Sequence, residues 1–333
     1  MSAIIAVPIE PQGPLARTVL GAPLVFGALG FAFHLEPLVP DDSERLAKAC
    51  ERILEVVGAH LRWSWGSVHS EVEPFSGSVL DLLSCFPTQL VDEQAASIDD
   101  PRTRAAVSAM KAARYDRFAL ACHGGAEPNT VSPWSLRFYS RTSGTGDPLL
   151  RADAMLSISM PATIPLEALT KLATAVAGIL RIRWGAAGLV YGAWELDRYG
   201  ETRAAIYAHA RRHPGYDVGQ HATLMQEFHD RVRTVSWLTF LGKDLTEQVR
   251  ASGDALGSDE LVTVQPCGEG VVLRAGDKPE AGDVNRRIVP RAYVRVDRRI
   301  RSVRASEGIH FYDPWSASTT EAWLRRFEDA PLG

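Results

Sequence analysis

The chain has 333 residues, of which 46% are hydrophobic and 23% are charged, and its formal net charge at pH 7 is −4. This composition is that of an ordinary globular protein. It excludes a largely disordered chain, and the length allows one large domain or two of usual size. Between Arg274 and Arg304, ten Lys or Arg face four Asp or Glu, a local net charge of +6 that leaves −10 for the rest. The small total charge indicates no polyanionic partner by itself.

The cysteines and the apolar segments indicate a cytoplasmic protein. Four widely spaced cysteines without a C-x-x-C pair are typical of reduced thiols: Cys50, Cys85, Cys122 and Cys267. The N-terminus has no basic region before its apolar residues, so we expect no signal peptide. The most apolar stretch, Leu20–Leu35, contains Pro23 and glycines and is too short to cross a membrane. It predicts buried strands separated by a turn.

In chain order, the first predicted unit is strand–helix–strand. The strands cover Phe31–Leu35 and Leu61–Trp65, and Asp41, Asp42 and Ser43 cap the helix between them. Apolar residues follow at helical spacing: Leu46, Cys50, Ile53 and Val57.

A second unit with the same pattern lies in the other half of the chain. It runs from a strand at Met155–Met160 through a helix at Leu166–Leu180 to a strand at Gly188–Trp194. The repetition suggests an internal duplication, in which each half places a helix on a sheet. The turn-forming residues Ser143–Pro148 predict a boundary. The expected halves are residues 1–146 and 147–333, as two domains or as one compact unit.

The remaining predicted elements mix helices with strands. Helices are predicted at Asp100–Arg114, Glu201–Arg212, Gln220–Val232, Pro290–Val303 and Ser318–Glu328. Strands are predicted at Phe118–Cys122, Leu136–Arg141, Thr234–Leu241, Leu261–Gln265 and Val271–Arg274. Because several strands follow one another as hairpins, the sequence favours an α+β fold with mixed or antiparallel sheets over a doubly wound sheet.

Four histidines are the candidate metal ligands: His209, His213, His221 and His229. The first two lie four residues apart on one predicted helix, and the other two lie on the next. The favoured alternative is that His213, before Pro214 at a helix C-terminus, interacts with the helix dipole. No carboxylate or thiol completes a ligand set, so no metal is expected. A metal-dependent enzyme built on these histidines is the alternative function.

Other catalytic motifs are missing from the sequence. It contains no G-x-S-x-G, no G-x-x-x-x-G-K-[ST], no G-x-G-x-x-G and no H-E-x-x-H, so no cofactor is predicted. The segment Cys122–Gly125 follows a predicted strand, where nucleophiles often lie. Adjacent strand residues point to opposite faces, however, so Cys122 and His123 cannot form a nucleophile–base pair. A buried cysteine followed by a glycine turn is the favoured interpretation.

An arginine-rich segment near the C-terminus predicts an amphipathic surface helix. Its apolar face consists of Val289, Tyr293, Val296, Ile300 and Val303. This arrangement leaves most of the arginines outside: Arg291, Arg295, Arg298, Arg299, Arg301 and Arg304. Without interleaved aromatic residues or a reader motif, we expect a solvated face and no direct nucleic-acid binding.

Several strings in the C-terminal half carry a resemblance. Arg212–Val218 reads R-H-P-G-Y-D-V, Trp237–Gly242 reads W-L-T-F-L-G, and Gly276–Asn285 reads G-D-K-P-E-A-G-D-V-N. Together with the unit at Met155–Trp194 and the closing Trp323–Phe327, this order of strings resembles the type VI immunity family of proteobacteria. The resemblance covers the C-terminal half well and the N-terminal half in outline.

The resemblance implies a cytosolic antidote that binds a cognate toxin, an effector of the type VI secretion system. Several such effectors are nucleases. It implies no enzymatic activity, no cofactor and no contact with a membrane. Docking of standard size would cover the active site of the toxin by shape and charge complementarity. The sequence leaves open an adaptor without a toxin, a blockade away from the active site, and a homodimer.

The signature residues are expected to be mainly structural. Strand residues fill a core and a glycine ends the strand: Trp237, Leu238, Phe240, Leu241 and Gly242. A surface turn requires the others: Gly276, Pro279, Gly282 and Asp283.

Acidic residues elsewhere are the candidates for contact with the partner. If the toxin is a nuclease, acidic side chains would complement its basic cleft: Asp41, Asp42, Glu44, Asp92, Glu93, Asp99 and Asp100. The alternative for each of them is a helix cap or a solvated turn.

Overall fold

The computed structural model describes residues 14–17, 23–37, 42–66, 72–76, 117–142, 152–193, 199–218, 231–253, 256–305 and 311–328. Within these residues there are eleven strands: β1 Pro14–Arg17, β2 Pro23–Leu35, β3 Trp63–Gly66, β4 Glu73–Pro74, β5 Arg117–His123, β6 Ser135–Thr142, β7 Ala152–Pro161, β8 Ile182–Ala193, β9 Leu238–Leu241, β10 Val262–Cys267 and β11 Gly270–Ala275. The same residues form six α-helices: α1 Asp42–Val57, α2 Leu166–Ile179, α3 Tyr199–Arg212, α4 Lys243–Ala251, α5 Arg291–Arg299 and α6 Ala317–Leu324.

All the described strands belong to one sheet. Its order is β10-β11-β9-β8-β2-β7-β6-β5-β3-β4, and β1 pairs with β2 outside this path. Neighbouring strands are antiparallel throughout. The predicted α+β class is therefore confirmed.

Strand β2 of the predicted first half lies between β7 and β8 of the second, and the predicted boundary at 143–148 lies outside the described residues. The division at residue 146 stays a prediction.

Strand β2 runs unbroken from Pro23 to Leu35, so the turn that was predicted within this stretch is wrong for residues 23–35. Glycine here permits close packing instead of a turn. A Cβ atom on Gly30 would lie 2.1 Å from the carbonyl oxygen of Ile158 on β7. On the core side, Phe31 and Phe33 stack with their ring centroids 4.6 Å apart.

The two predicted strand–helix–strand units are present. In β7-α2-β8, both strands are antiparallel to β2, which separates them, so they are parallel to each other. In β2-α1-β3, strands β2 and β3 are also parallel to each other, and β7, β6 and β5 lie between them in the sheet. Along the sheet, the connection from β7 to β8 runs in one direction and the connection from β2 to β3 runs in the other. Because β7 and β2 are also antiparallel to each other, right-handed connections place α2 and α1 on the same face of the sheet. Helices α1 and α2 do contact each other. Common ancestry of the two units stays a prediction.

Most of the other predicted elements are confirmed with shifted ends. Strands β5, β6, β10 and β11 and helices α3 and α6 occupy the expected places. The helix predicted at Pro290–Val303 ends at Arg299 and continues as a 3₁₀ turn at 301–303. The helix predicted at Asp100–Arg114 lies outside the described residues, and so do residues 220–230 of the helix predicted at Gln220–Val232.

The segment before β9 departs from the prediction. Only Leu238–Leu241 of the strand predicted at Thr234–Leu241 is a strand, although residues 234–237 are buried. Val232 exchanges backbone hydrogen bonds with Val303 and Ala305, so the prediction of a helix that extends to Val232 is wrong at this residue. The amide nitrogen of Ser236 donates to Thr239 Oγ1 at 3.2 Å and not to a neighbouring strand, which helps to explain why the strand begins only at Leu238.

The edge strand β10 is protected against further pairing. The amide nitrogens of Val262 and Val264 donate to Asp259 Oδ1 and Ser258 Oγ, each at 2.9 Å, instead of to a neighbouring strand. The next alternate position is Pro266, which has no amide hydrogen to donate. Addition of a partner strand at β10 is therefore disfavoured.

Among the described helices, none has the length and apolar character required to span a membrane.

Candidate functional site

Three of the strings singled out in the sequence meet in the folded chain. The end of α3 with its following turn, Arg212–Val218, packs against Gly276–Asn285, the segment that follows β11, and Trp237 joins them. We call these three parts the signature cluster. Arg212 and Asp283 are 71 residues apart in the chain, so the cluster is built by the tertiary fold.

An ion pair links the first two parts. Arg212 Nη2 donates to Asp283 Oδ2 at 2.8 Å, and Arg212 Nε donates to Asp283 Oδ1 at 3.3 Å. Next to it, His213 Nδ1 donates to the carbonyl oxygen of Gly282 at 2.7 Å. The hydrogen bond from Arg212 holds the pKa of the Asp283 carboxyl below its usual range, despite the opposing effect of burial. The carboxylate therefore stays charged at neutral pH and fixes the turn.

The contact between the two segments is too close for a side chain at Gly215. Its amide nitrogen donates to the carbonyl oxygen of Ala281 at 2.8 Å. A Cβ atom at this position would lie 1.8 Å from the carbonyl oxygen of Glu280. Glycine is required here because two backbones touch.

Trp237 anchors the other end of the cluster. Its indole nitrogen donates to the carbonyl oxygen of Gly276 at 3.1 Å, and its own carbonyl oxygen accepts from Ala275 at 2.7 Å. The indole is 1% exposed, and the guanidinium of Arg274 lies 5.2 Å from its ring centroid. Trp237 thus fills the core and also holds the start of Gly276–Asn285.

A fourth string, Trp323–Phe327, closes the cluster through Arg326. This guanidinium donates to the carbonyl oxygen of Pro214 at 2.7 Å and to Thr234 Oγ1 at 2.8 Å, and it lies 3.5 Å over the ring of Trp323. Burial, and then the positive charge of Arg304, lower the pKa of Arg326 to about 9. This role could not be predicted from the sequence, because the helix predicted at Ser318–Glu328 includes Arg326 and an arginine of such a helix usually faces solvent.

The signature cluster presents a short turn to solvent. Residues Val284–Arg286 form a 3₁₀ turn, and Val284 is 49% exposed. Arg286 and Arg287 are exposed beside it. The turn borders a cleft of about 250 Å³, lined by Ala210, Arg211, Pro214, Val284, Ser318, Thr319, Ala322, Trp323 and Arg326. A single apolar residue within a polar turn is the sequence signal that could have pointed to Val284.

The signature residues that were expected to be structural lie in the core or in the turn, as the sequence predicted. Trp237, Leu238, Phe240 and Leu241 are buried, and a Cβ atom on Gly242 would lie 2.0 Å from the carbonyl oxygen of Ile182. In the turn, Gly276 and Gly282 have φ angles of 72° and 67°, which favour glycine, and Pro279 is buried. Whether any of them contacts a partner stays a prediction.

Of the acidic partner-binding candidates, the structure describes two. Asp42 begins α1 and is 4% exposed, with its Oδ1 atom 3.4 Å from Arg181 Nε. Glu44 is exposed and pairs with Lys48 at 2.7 Å. The others lie outside the described residues: Asp41, Asp92, Glu93, Asp99 and Asp100. The buried position of Asp42 fits the helix-start alternative, and Glu44 offers free surface to a partner.

The described histidines of the proposed metal set belong to an aromatic cluster. The rings of His209 and His213 are 4.4 Å apart, and His209 Nδ1 lies 3.0 Å from the hydroxyl of Tyr191. Burial, followed by the charges of His213 and Arg212, lowers the pKa of His209 to about 4. His221 and His229 lie outside the described residues, within which no three metal-ligating side chains come together.

Cys122 and His123 have separate structural roles. Burial raises the pKa of the Cys122 thiol. His123 Nδ1 accepts from the amide of Gly125 at 3.1 Å, so Nε2 donates to the carbonyl oxygen of Pro128 at 3.0 Å. A neutral His123 therefore holds the glycine turn, and Cys122 is buried, as the favoured interpretation expected for the cysteine.

The arginine-rich helix follows its prediction in part. Arg291, Arg298 and Arg301 are exposed on or next to α5. The prediction is wrong for Arg304, whose side chain is 2% exposed and whose Nε donates to the buried Asp297 Oδ1 at 2.8 Å. The last arginine of the segment is buried because the helix ends at Arg299 and the 3₁₀ turn at Arg301–Val303 directs the following residue into the core.

The geometry defines a class of protein: an α+β scaffold whose buried signature residues hold an exposed turn. A family described as type VI immunity for VRR-NUC matches residues 45–327. The chain belongs to this family and is an immunity protein of the type VI secretion system. The match extends the resemblance from the C-terminal half into the N-terminal half.

A solved structure has a similar fold. It is that of a type VI secretion system protein from Pseudomonas aeruginosa, with a TM-score of 0.67 at 20% identity over 94% of this chain and 87% of that chain. At this identity the likeness concerns the fold alone. No curated protein matches the chain.

Proposed function

We propose that this immunity protein neutralises a nuclease effector of the type VI secretion system by docking over its active site. The observation that carries the proposal is the family match over residues 45–327, whose description names a VRR-NUC toxin. Inhibition of this kind requires a complementary surface, and an interface of standard size is sufficient for tight binding. It requires no catalytic residue in the antidote.

The roles of the reactive side chains support binding without catalysis. Cys122 is buried as a thiol, and both nitrogens of His123 hold backbone groups. His209 and His213 lie in an aromatic cluster beside the signature cluster. These four side chains thus have structural positions in the described part of the chain, which supports a non-enzymatic antidote.

We also propose that the protein acts in the cytosol. Nucleic acid, the substrate of a nuclease, lies there, and the described cysteines Cys50, Cys122 and Cys267 are buried free thiols. Cell fractionation tests this point, and recovery of the protein from the periplasm would contradict it.

A charge contribution from the acidic residues belongs to the same proposal. Acidic side chains complement the basic substrate cleft of a nuclease and speed docking. Glu44 is the exposed candidate on α1. Glu44→Lys should slow association at low salt and have less effect at high salt. An unchanged association rate for this variant and for reversals of Asp92, Glu93, Asp99 and Asp100 would contradict the charge contribution.

The direct test is a titration of nuclease activity. Purified nuclease domain of the effector encoded beside this gene is mixed with increasing amounts of the immunity protein, and cleavage of duplex DNA is measured. A docking inhibitor abolishes cleavage at one molar equivalent, whereas an enzyme that inactivates the toxin works well below this ratio. A failure to inhibit at excess would refute the proposed function. Competition between DNA and the immunity protein for the nuclease distinguishes active-site docking from a blockade elsewhere.

A further inference from the structure

The exposed turn at Val284–Arg286 combines an apolar residue with several cations. We call Val284, Arg286, Arg287 and the neighbouring Arg211 the arginine tip. Val284 is the more exposed of the two large hydrophobic side chains that are exposed in the described part of the chain. Arg211 is exposed at the end of α3 and lines the cleft next to Val284. Arginine is enriched at protein interfaces, and an exposed apolar side chain beside it adds apolar area that a docking partner can bury.

The backbone of the tip is held in a conformation that a flexible loop would rarely adopt. Arg287 has a φ angle of 57°, the left-handed region that disfavours residues with a side chain. Its amide donates to the carbonyl oxygen of Val284 at 3.0 Å. Asp283 and Ile288 exchange two backbone hydrogen bonds at 2.8 and 2.9 Å, which close the turn. A strained, fixed turn at the surface is typical of a preorganised contact.

Among the described residues, the charges of the tip are not balanced: Arg211 Nη1 donates to the hydroxyl of Tyr207 at 3.1 Å, which is a neutral partner. Asp283 is the acidic residue at its base, but it is buried and is held by Arg212 at 2.8 Å. Arg286 lies 3.8 Å from the same carboxylate and its side chain is 64% exposed. The tip therefore presents guanidinium groups that can pair with carboxylates of a partner in two-pronged geometry.

We propose that the arginine tip docks on the carboxylate-lined metal centre of the nuclease effector. A nuclease that uses Mg²⁺ holds the cation with carboxylates, which form an acidic patch in the floor of its substrate cleft. The guanidinium groups of Arg211 and Arg286 pair with these carboxylates, and Val284 covers the apolar wall beside them. This assignment rests on the proposed function and specifies which surface of the antidote reaches the reactive centre.

The experiment measures affinity for the purified nuclease domain with and without Mg²⁺. The double variant Arg211→Glu with Arg286→Glu should weaken binding by about 100-fold, the loss expected from reversed charges at an interface centre. The control double variant, Lys243→Glu with Arg250→Glu, changes net charge equally at exposed positions on α4, outside the cleft. It should change affinity by less than about threefold. Mg²⁺ should weaken binding of the wild type, because the cation and the tip compete for the same carboxylates.

A second variant protects the test against misfolding. Val284→Glu alters a half-exposed side chain outside the core, so it should keep the melting temperature of the wild type while losing affinity. Tip variants that bind as tightly as the wild type, or wild-type binding that ignores Mg²⁺, would overturn the assignment and leave the proposed function intact. Wild-type protein that neither binds nor inhibits the nuclease would refute the proposed function itself. Binding of the tip to duplex DNA with the same arginine dependence would also overturn the assignment.

Discussion

Arg212 and Asp283 join the end of α3 to the base of the arginine tip through two hydrogen bonds, at 2.8 and 3.3 Å. The Asp283 side chain is 5% exposed, whereas that of Arg212 is 48% exposed. Asp283 Oδ1 also accepts from the amide of Asn285 at 3.0 Å. One carboxylate thus fixes both the position of the turn and its internal conformation, which couples the buried scaffold to the exposed turn.

Replacing this carboxylate should loosen the tip more than it unfolds the protein. Asp283→Asn keeps the size of the side chain but loses the charge that pairs with Arg212. We expect faster amide exchange at Asn285 and Ile288 with unchanged exchange in β8, measured by hydrogen–deuterium exchange. Affinity for the nuclease should fall at least about tenfold, because the tip is no longer preorganised. Glu44→Gln, which disrupts an exposed pair on α1, is the control and should leave exchange in the tip unchanged. Unchanged exchange at Asn285 in Asp283→Asn would contradict the role of the pair.

Two glycines provide a matched pair of substitutions. Gly215→Ala places a Cβ atom 1.8 Å from the carbonyl oxygen of Glu280, and a backbone must move to accept it. The free energy of unfolding should fall by roughly 2–3 kcal/mol. Gly178 lies in α2 with nothing within 4 Å of an added Cβ atom, so Gly178→Ala should raise stability by about 0.5–1 kcal/mol. Urea unfolding measures both, and equal effects of the two substitutions would contradict the close contact at Gly215.

The buried pair of Asp297 and Arg304 predicts a large effect from a single substitution. Asp297 is fully buried, and Arg304 donates to it and to the carbonyl oxygens of Val232 and Leu324. Asp297→Ala leaves a buried cation without its carboxylate, so we expect a loss of about 3–5 kcal/mol in the free energy of unfolding. Asp297→Leu combined with Arg304→Met should cost less than Asp297→Ala alone, because no unpaired charge is left. A double variant that is less stable than the single one would contradict this explanation.

The sequence predicted the elements whose pattern is local. In α1, the spacing of Leu46, Cys50, Ile53 and Val57 identifies the buried face, and all four residues are buried. The glycines of β2 were misleading, because a turn glycine and a glycine in close sheet packing look the same in a sequence. What distinguishes Gly30 is the carbonyl group of Ile158 on another strand.

The candidate site was predictable only in its parts. The strings that contain Arg212, Trp237 and Asp283 could be singled out, but their convergence depends on contacts between distant segments. Arg304 and Arg326 were unpredictable for the same reason, since their partners include backbone carbonyl groups supplied by the fold. The sequence identifies the turn that contains Val284, but it does not show that the Val284 side chain faces solvent.

The buried histidines predict a loss of stability in mild acid. Burial lowers the pKa of His123 to about 4, with a further contribution from Arg137 and an opposing one from the hydrogen bond to Pro128. The pKa of a histidine in the unfolded chain is about 6.5, so between pH 6.5 and 4 the unfolded state binds more protons than the folded state. Stability therefore rises with pH across this window and falls as the solution is acidified. Between pH 6.5 and 5 the loss should be at most about 2 kcal/mol for His123, with a similar contribution from His209, whose pKa is also lowered to about 4.

Urea unfolding at pH 7 and pH 5 measures this loss. His123→Gln retains an acceptor and a donor but cannot be protonated, so the difference in stability between the two pH values should shrink by about half. Comparing each protein with itself at two pH values removes any loss of packing caused by the substitution. The lowered pKa values of Asp259 and Asp283 affect stability only below about pH 4, so they do not contribute in this range. The same pH dependence in wild type and His123→Gln would show that His123 is protonated in the folded protein. Its hydrogen bond to Gly125 would then be absent at pH 5.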